Sequence, residues 1–240
     1  MREKIQTTKN GLILYDPAQL DQPHEHLFDP EHWRSLGQLQ ATPAGRGASW
    51  FVGGSAKQLG FWVLRHYRRG GLPGKVLRDS YLWAGNACSR PFAEWRLLAS
   101  LYQQGLPVPQ PVAARIQRTA LWYQGDIITR RLSARSWSGL LQGTQDAERW
   151  QAVGACIRRF HNAGVWHADL NAHNILLDEH GKVYLIDFDR GRFRAGTGWQ
   201  ADNLARLARS LEKILGAEWV RLKQTHWPLL LNAYGTGAGG

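Results

Sequence analysis

The segment His167-Ala168-Asp169-Leu170-Asn171-Ala172-His173-Asn174 has the form H-x-D-x-x-x-x-N, and Leu185-Ile186-Asp187-Phe188-Asp189 follows after a short turn. Transfer of a phosphoryl group to a hydroxyl needs a carboxylate that orients the hydroxyl and accepts its proton. It also needs an oxygen ligand and a second carboxylate to hold Mg²⁺ against the phosphates. Asp169, Asn174 and Asp187 supply those three chemical types in that order. At average composition, four such residues fall at these fixed positions with a chance on the order of 10⁻³ over a chain of this length. His167 reads as a brace for the loop and not as a base, His161 and His173 as structural, and Asn171 as a loop contact.

Further upstream, Gly45-Arg46-Gly47, with Val52, fits the start of a Gly-rich phosphate loop, although Trp50 takes the place of its third glycine. In the strand that follows, Arg65 stands where such a site expects a phosphate-binding lysine, and the only nearby lysine is Lys57. A guanidinium can hold phosphate through a bidentate fork. Its expected partner is Glu94. That residue shares a helical face with Leu97, Leu98 and Leu101 and so points inward, where an unpaired charge is costly. A solvated Glu94 at a helix start remains the plainer alternative.

The elements that must position these groups are legible in outline. Residues 11–52 read as short strands broken by Pro and Gly, and Leu59–Tyr67 as a strand. Arg68–Arg90 is a Gly- and Arg-bearing insertion. Pro91 suits a first helical position, and Phe92–Gln104 has helical periodicity closed by Gly105. Leu106–Pro111 is extended by its prolines. Ala120–Tyr123 and Ile127–Thr129 read as strands around a turn at Gln124-Gly125-Asp126. Thr144 is the expected cap of a helix carrying Trp150, Val153, Ile157 and Phe160 and stopped by Gly164. Ile175–Leu177 and Val183–Ile186 form two strands. A last helix carries Leu204, Leu207, Leu211 and Ile214 on one face, with Arg206, Arg209 and Lys213 opposite, before a frayed glycine-rich tail at 235–240. The expected division is residues 1–132, rich in strands, and 133–240, mainly helical.

Composition bounds the partners. The 240 residues are 43% hydrophobic and 20% charged, which excludes an intrinsically disordered chain. The net charge is +11, with 23 Arg among 30 bases. It is uneven: −3 over residues 1–32, +10 over 33–120 and +4 over the rest. Planar anions are the expected ligands of so arginine-rich a chain. Arg68, Arg69, Lys75, Arg78 and Arg90 alternate with Leu72, Leu77, Tyr81, Leu82 and Trp83, a pattern suited to the headgroup level of an anionic membrane or to an anionic acceptor. A solvated basic loop is the alternative. Cys88 and Cys156 match no metal or redox spacing and fit a reducing compartment. The first residues lack the apolar core of a signal peptide, and no apolar run approaches the length of a membrane span. His24, His26 and His32 read as surface features, and Trp62, Trp95 and Trp150 as core. No nucleic-acid-binding motif is present, and no obligate protein partner is indicated.

Together these residues resemble the protein-kinase-like fold, and within it the lipopolysaccharide core kinases, most closely the 3-deoxy-D-manno-octulosonic acid (Kdo) kinase group. The resemblance spans nearly the whole chain, through GRGASWFV (45–52), LRHYRRGGL (64–72), RPFAEWRLLASLYQQGLPVPQPVA (90–113), HNAGVWHADLNAHNILLD (161–178), IDFDRGR (186–192) and GWQADNLARLARSLEK (198–213). It implies a bilobal α+β fold with a mainly antiparallel N-lobe sheet, an interlobe ATP cleft and a reduced helical C-lobe. It implies transfer of the ATP γ-phosphate to a hydroxyl, O-4, of Kdo on Kdo–lipid A, by a peripheral enzyme at the cytoplasmic face of the bacterial inner membrane. In that scheme Asp169 activates the hydroxyl, Asn174 and Asp187 bind Mg²⁺, and Gly45, Arg46 and Gly47 cover the phosphates. Arg65 with Glu94 fixes those phosphates, and main-chain groups around Ile128–Arg131, Ile128 and Arg130 among them, receive adenine. The acceptor or the membrane falls to Arg68, Arg69, Lys75, Arg78 and Trp83. Asp189 departs from the glycine that follows Asp-Phe in protein kinases. Only 53 residues follow Asp187 and no A-P-E segment is among them, which disfavours protein substrates. A kinase for a core heptose or an aminoglycoside, and a non-catalytic binding module for anionic glycolipid, remain open at this stage.

Overall fold

The computed structural model describes residues 1–40, 49–53, 61–68, 80–83, 85, 89–143 and 145–235. Gly45, Arg46, Gly47, Lys57, Arg69, Lys75, Arg78, Cys88 and Thr144 lie outside them. The chain divides into two compact units, one of residues 1–103 and 109–131, the other of 104–108 and 132–240.

In the first unit the strands are β1 (Lys4–Thr7), β2 (Gly11–Tyr15), β3 (Leu39–Gln40), β4 (Ser49–Val52), β5 (Trp62–His66), β6 (Tyr81–Leu82), β7 (Pro111–Thr119) and β8 (Trp122–Arg130). They form one sheet in the order β1-β2-β7-β8-β5-β4-β3, with β6 also on β8, and every pairing is antiparallel. A one-turn 3₁₀ segment at Glu25–Phe28 and the short helix α1 (Pro30–Ser35) lie between β2 and β3. Asp29 caps α1 by accepting from the Glu31 amide, and Pro30 suits its first turn. The region read as strands alone therefore contains a helix, which carries Trp33 into a core with Phe28, Trp62, Leu64, Val112 and Ile128.

Helix α2 (Arg90–Gln103) repeats apolar residues every three or four positions and buries Phe92, Trp95, Leu98 and Leu101 completely or nearly so. Each such side chain contributes roughly 1.5–3 kcal/mol on leaving water. Its first turn corrects the sequence reading of residues 120–129. There is no turn at Gly125; β8 runs unbroken from Trp122 to Arg130, and the hairpin turns at Ala120-Leu121, with Ala120 at φ 52°. Gly125 is in the strand because Pro91 lies over it: a Cβ there would stand 2.3 Å from Pro91 Cγ. The glycine marks a close approach of helix to sheet and not a bend.

The second unit contains β9 (Ala134–Ser136), α3 (Trp137–Leu140), α4 (Ala147–Asn162), β10 (Val165–Trp166), β11 (Ile175–Asp178), β12 (Val183–Leu185), β13 (Arg192–Phe193), α5 (Trp199–Leu215), α6 (Glu218–Thr225) and α7 (Trp227–Gly235). Strands order as β12-β11-β9, and β10 pairs with β13. Gln104–Val108 joins this unit: the Leu185 amide donates to Pro107 O at 3.0 Å and Arg159 Nη2 to Gly105 O at 2.9 Å. The cap of α4 is Asp146, whose carboxylate accepts from the Glu148 amide, in place of the expected Thr144. The sequence reading ended its helices at α5. Two more follow, because Gly216 (φ 55°) stops α5 and the chain then buries Trp219, Leu222 and Leu230. Leu230 O comes so close to α4 that a Cβ on Gly154 would stand 2.1 Å from it. Trp62, Trp95 and Trp150 are buried, as their patterns suggest. The architecture is α+β with an antiparallel sheet in the first unit and helices in the second.

Candidate active site

The segment 167–174 crosses from β10 to β11 as a loop whose polar groups hold one another. The Asp169 amide donates to His167 Nδ1 at 3.1 Å, so this nitrogen carries no proton; Nε2–H then donates to Ile186 O at 2.9 Å. Both ring nitrogens are used by a neutral imidazole, and burial holds His167 below the usual histidine range. His167 therefore braces the loop, with both ring nitrogens engaged inside the protein. Asn203, buried on α5, brackets the same residue: its Nδ2 donates to His167 O at 3.0 Å and its Oδ1 accepts the His167 amide at 3.3 Å. Leu170 and Ala172 are buried anchors, and the Ala172 amide donates to Ser210 Oγ at 3.2 Å.

Between these anchors the Asp169 carboxylate is 62% exposed. Asn171 Nδ2 donates to its Oδ2 at 3.0 Å, while Asn171 Oδ1 accepts from the His173 and Asn174 amides. Asn171, read as a loop contact, closes the turn and steadies the carboxylate. On α5, Arg206 Nη1 lies 3.6 Å from Asp169 Oδ1.

Asn174 and Asp187 come together through the sheet. Ile175 pairs with Leu185 in the β11–β12 ladder, and the Ile186 amide donates to Asn174 O at 3.0 Å, so the residue preceding Asp187 is tied to Asn174. Asn174 Nδ2 donates to Asp169 O at 3.0 Å, which turns its Oδ1 away as the acceptor end. Asp187 sits at φ 62°, a left-handed conformation that costs a non-glycine residue on the order of 1–3 kcal/mol and persists where its surroundings impose it. Those surroundings include Phe188, fully buried against Phe160 and His167 with ring centroids at 5.7 and 4.7 Å. The Gly191 amide donates to Phe188 O at 2.8 Å, so Asp189 occupies a turn. An amide oxygen and a carboxylate are hard donors that suit Mg²⁺, which takes one or two carboxylates and fills its remaining positions with water and phosphate oxygens. The donor set fits that ion. Among the described residues no group of three or more His, Cys, Asp or Glu could hold a metal without such help.

In the first unit Arg65 and Glu94 pair directly. Glu94 is 3% exposed and accepts from both Arg65 Nη2 and the Tyr67 hydroxyl. Arg65, 23% exposed, also donates to that hydroxyl at 3.2 Å and lies 4.8 Å over its ring. Tyr67 was missed in the sequence, though two residues on from Arg65 it falls on the same face of the strand. A second buried carboxylate, Asp126, was read as a turn residue. It accepts from Arg115 Nη2 at 2.8 Å and lies 2.7 Å from His66 Nδ1, joining β5, β7 and β8.

The residues assigned to adenine need correction. Ile128 lies inside the sheet, paired with Leu64 on one side and Ala113 on the other, so the ladder occupies its main chain. The Arg130 amide donates to Gln110 O and the Arg131 amide to Phe61 O, while the Arg130 guanidinium grips Gln19 Oε1. The strand ends at Arg130, and the Arg131 amide is the last bonded across to the rest of the unit. Of the basic insertion, Arg68 is exposed. Tyr81 is buried and does not face out, and Arg90 lies 4.7 Å over its ring. Trp83 packs edge-on to Tyr123, with Arg118 5.3 Å over it.

Comparison with known proteins adds to this geometry. Residues 30–226 match the model of the lipopolysaccharide kinase (Kdo/WaaP) family. A protein of Stenotrophomonas maltophilia named 3-deoxy-D-manno-octulosonic acid kinase is 43% identical over 226 residues, covering 93% of this chain and 89% of that one. One of the same name from Photobacterium damsela subsp. piscicida is 42% identical, covering 95% of each. Among solved structures, the bifunctional kinase-methyltransferase WbdD aligns at a TM-score of 0.49 and 18% identity, over 82% of this chain and 45% of that one. The match over 197 of 240 residues, with the motif residues bonded as described, places the chain in the lipopolysaccharide kinase (Kdo/WaaP) family.

Proposed function

We propose that this chain transfers the γ-phosphate of ATP to the 4-hydroxyl of Kdo on Kdo–lipid A during assembly of the lipopolysaccharide inner core. The observation that carries the reading is the catalytic loop: an exposed Asp169 carboxylate on a segment locked by neutral hydrogen bonds, in a chain whose relatives are named Kdo kinase.

Asp169 accepts the proton of the acceptor hydroxyl and aims its oxygen at the γ-phosphorus. Asn171 and the bond from the Asp169 amide to His167 keep that carboxylate in place, so catalysis here is mainly positioning and electrostatics. Asn174 and Asp187 hold Mg²⁺, which neutralises phosphate charge when bound. Arg65, braced by Glu94 and Tyr67, takes the α/β-phosphates, with Gly45, Arg46 and Gly47 covering them. Main-chain groups beyond Arg131 take adenine in place of Ile128. The exposed Arg68, together with Arg69, Lys75, Arg78 and Trp83, meets the anionic acceptor or the membrane surface that carries it, at the cytoplasmic face of the inner membrane. No helix among the described residues is long and apolar enough to cross a membrane.

The test is label transfer from γ-labelled ATP and Mg²⁺ to purified Kdo–lipid A, with a heptose-extended acceptor and a generic peptide alongside. Label at O-4 of Kdo, located by mass spectrometry, is the expected result. Label confined to the heptose acceptor would move the activity to another core sugar, and ATP binding without transfer would leave a binding module.

A further inference from the structure

Helix α5 is fastened to the catalytic loop at two places, Asn203 around His167 and Ser210 at Ala172. Arg206 lies between them, three residues after Asn203 and four before Ser210, on the same stripe of the helix. These anchors thus fix the main chain of Arg206 beside the loop that carries Asp169. The contact with Asp169 is nevertheless incomplete. At 3.6 Å from one carboxylate oxygen it is too long for a hydrogen bond, and among the described residues no other acidic group pairs with Arg206, whose side chain is 47% exposed. A single exposed pair of this kind adds little stability. What the arrangement offers is a forked donor, held next to the group that takes the acceptor's proton.

An acceptor that is a sugar acid brings its own carboxylate into a region already containing Asp169, Asp187 and nucleotide phosphate. Like charges there oppose binding unless a cation meets the incoming acid. We infer that Arg206 is that cation: it binds the carboxylate of the acceptor sugar through its guanidinium fork and so presents the sugar's hydroxyl to Asp169. The inference rests on the sugar-acid acceptor proposed above. The fork chemistry matches a planar carboxylate better than it matches a neutral sugar or an amine, which makes Arg206 a determinant of acceptor choice.

The experiment uses the full chain with ATP and Mg²⁺ and two acceptors, Kdo–lipid A and the same molecule with its carboxylate converted to a carboxamide. kcat/KM is measured on each for the unaltered protein, Arg206→Gln and Arg206→Lys. The unaltered protein should prefer the acid by about tenfold to hundredfold, the worth of a hydrogen-bonded charge. Arg206→Gln should lose that preference through KM for the acid while KM for ATP stays unchanged, and Arg206→Lys should keep part of it. An acid preference that survives in Arg206→Gln, or none in the unaltered protein, overturns the inference. Equal losses on both acceptors with a raised KM for ATP also overturn it and assign Arg206 to the transferring phosphate. Absence of transfer to either acceptor by the unaltered protein would instead defeat the Kdo reading itself.

Discussion

The two regions to which we assign the chemistry are held in opposite ways. The catalytic loop of the second unit is fixed by neutral donors and acceptors: a neutral imidazole, three asparagines, a serine and main-chain groups. Its charged group, Asp169, is left facing outward. In the first unit the charges themselves form the brace. Glu94 is almost wholly buried and pairs with Arg65 and Tyr67 across 29 and 27 residues of sequence. Neutral scaffolding leaves a carboxylate free to exchange a proton with substrate. An ionic brace fixes a cation so that it can hold phosphate without losing its place, at the cost of dependence on both partners.

That contrast can be broken first at the ionic brace. Arg65→Met leaves the buried Glu94 carboxylate with the Tyr67 hydroxyl but without its cation and should lower stability by about 3 kcal/mol in denaturant titration, whereas Arg65→Met with Glu94→Leu should recover most of it without restoring turnover. Unaltered stability in the single variant would mean the pair is not a brace. The second unit is the more sensitive of the two to acid. His161 is buried against Trp199 and Tyr234, and burial lowers it from the ordinary 6.5 to about 4. The unfolded chain therefore takes up the proton first: stability is complete above pH 6.5 and falls by about 3 kcal/mol as the pH drops toward 4. His167, lowered for the same reason, adds to that slope. Thermal melts from pH 7.5 to 4.5 measure it, and His161→Phe should flatten it. Asn203→Ala touches neither charge nor substrate, yet it leaves the His167 amide and carbonyl without their partner. A loss of about 2 kcal/mol is expected. It should come with a fall in kcat at unchanged KM for ATP, which separates loop positioning from nucleotide binding.

The two regions also differ in how far the sequence reveals them. HADLNAHN and IDFD are short enough to be read directly, and their bonds run mostly between residues two to five apart. Helical periodicity placed Glu94 on an apolar face, where a glutamate demands a partner, and the phosphate-site pattern around Arg65 named that partner, which the structure pairs with it. Tyr67, Asn203 and Ser210 were not legible, since an apolar count along β5 and α5 is blind to polar residues, and it set Arg206 on the outer face of α5 without showing that Asp169 stands beside it. Gly125 and Ile128 were misread for a related reason. A glycine-aspartate pair signals a turn locally, and nothing nearby in sequence says that Pro91 must pass over that glycine or that β5 and β7 flank Ile128. The helices after Gly216 were missed because each is short and packs mainly against distant partners such as α4.

The claim on which everything else depends is that Asp169 handles the acceptor proton from a loop that folds without it. Asp169→Ala, assayed with labelled ATP and Kdo–lipid A and melted alongside the unaltered protein, tests both halves at once. A fall in kcat of roughly 10²–10⁴-fold, with a melting temperature within a degree or two of the original, is the expected result. Turnover that survives within tenfold would contradict the account, and so would a loss of activity explained by unfolding.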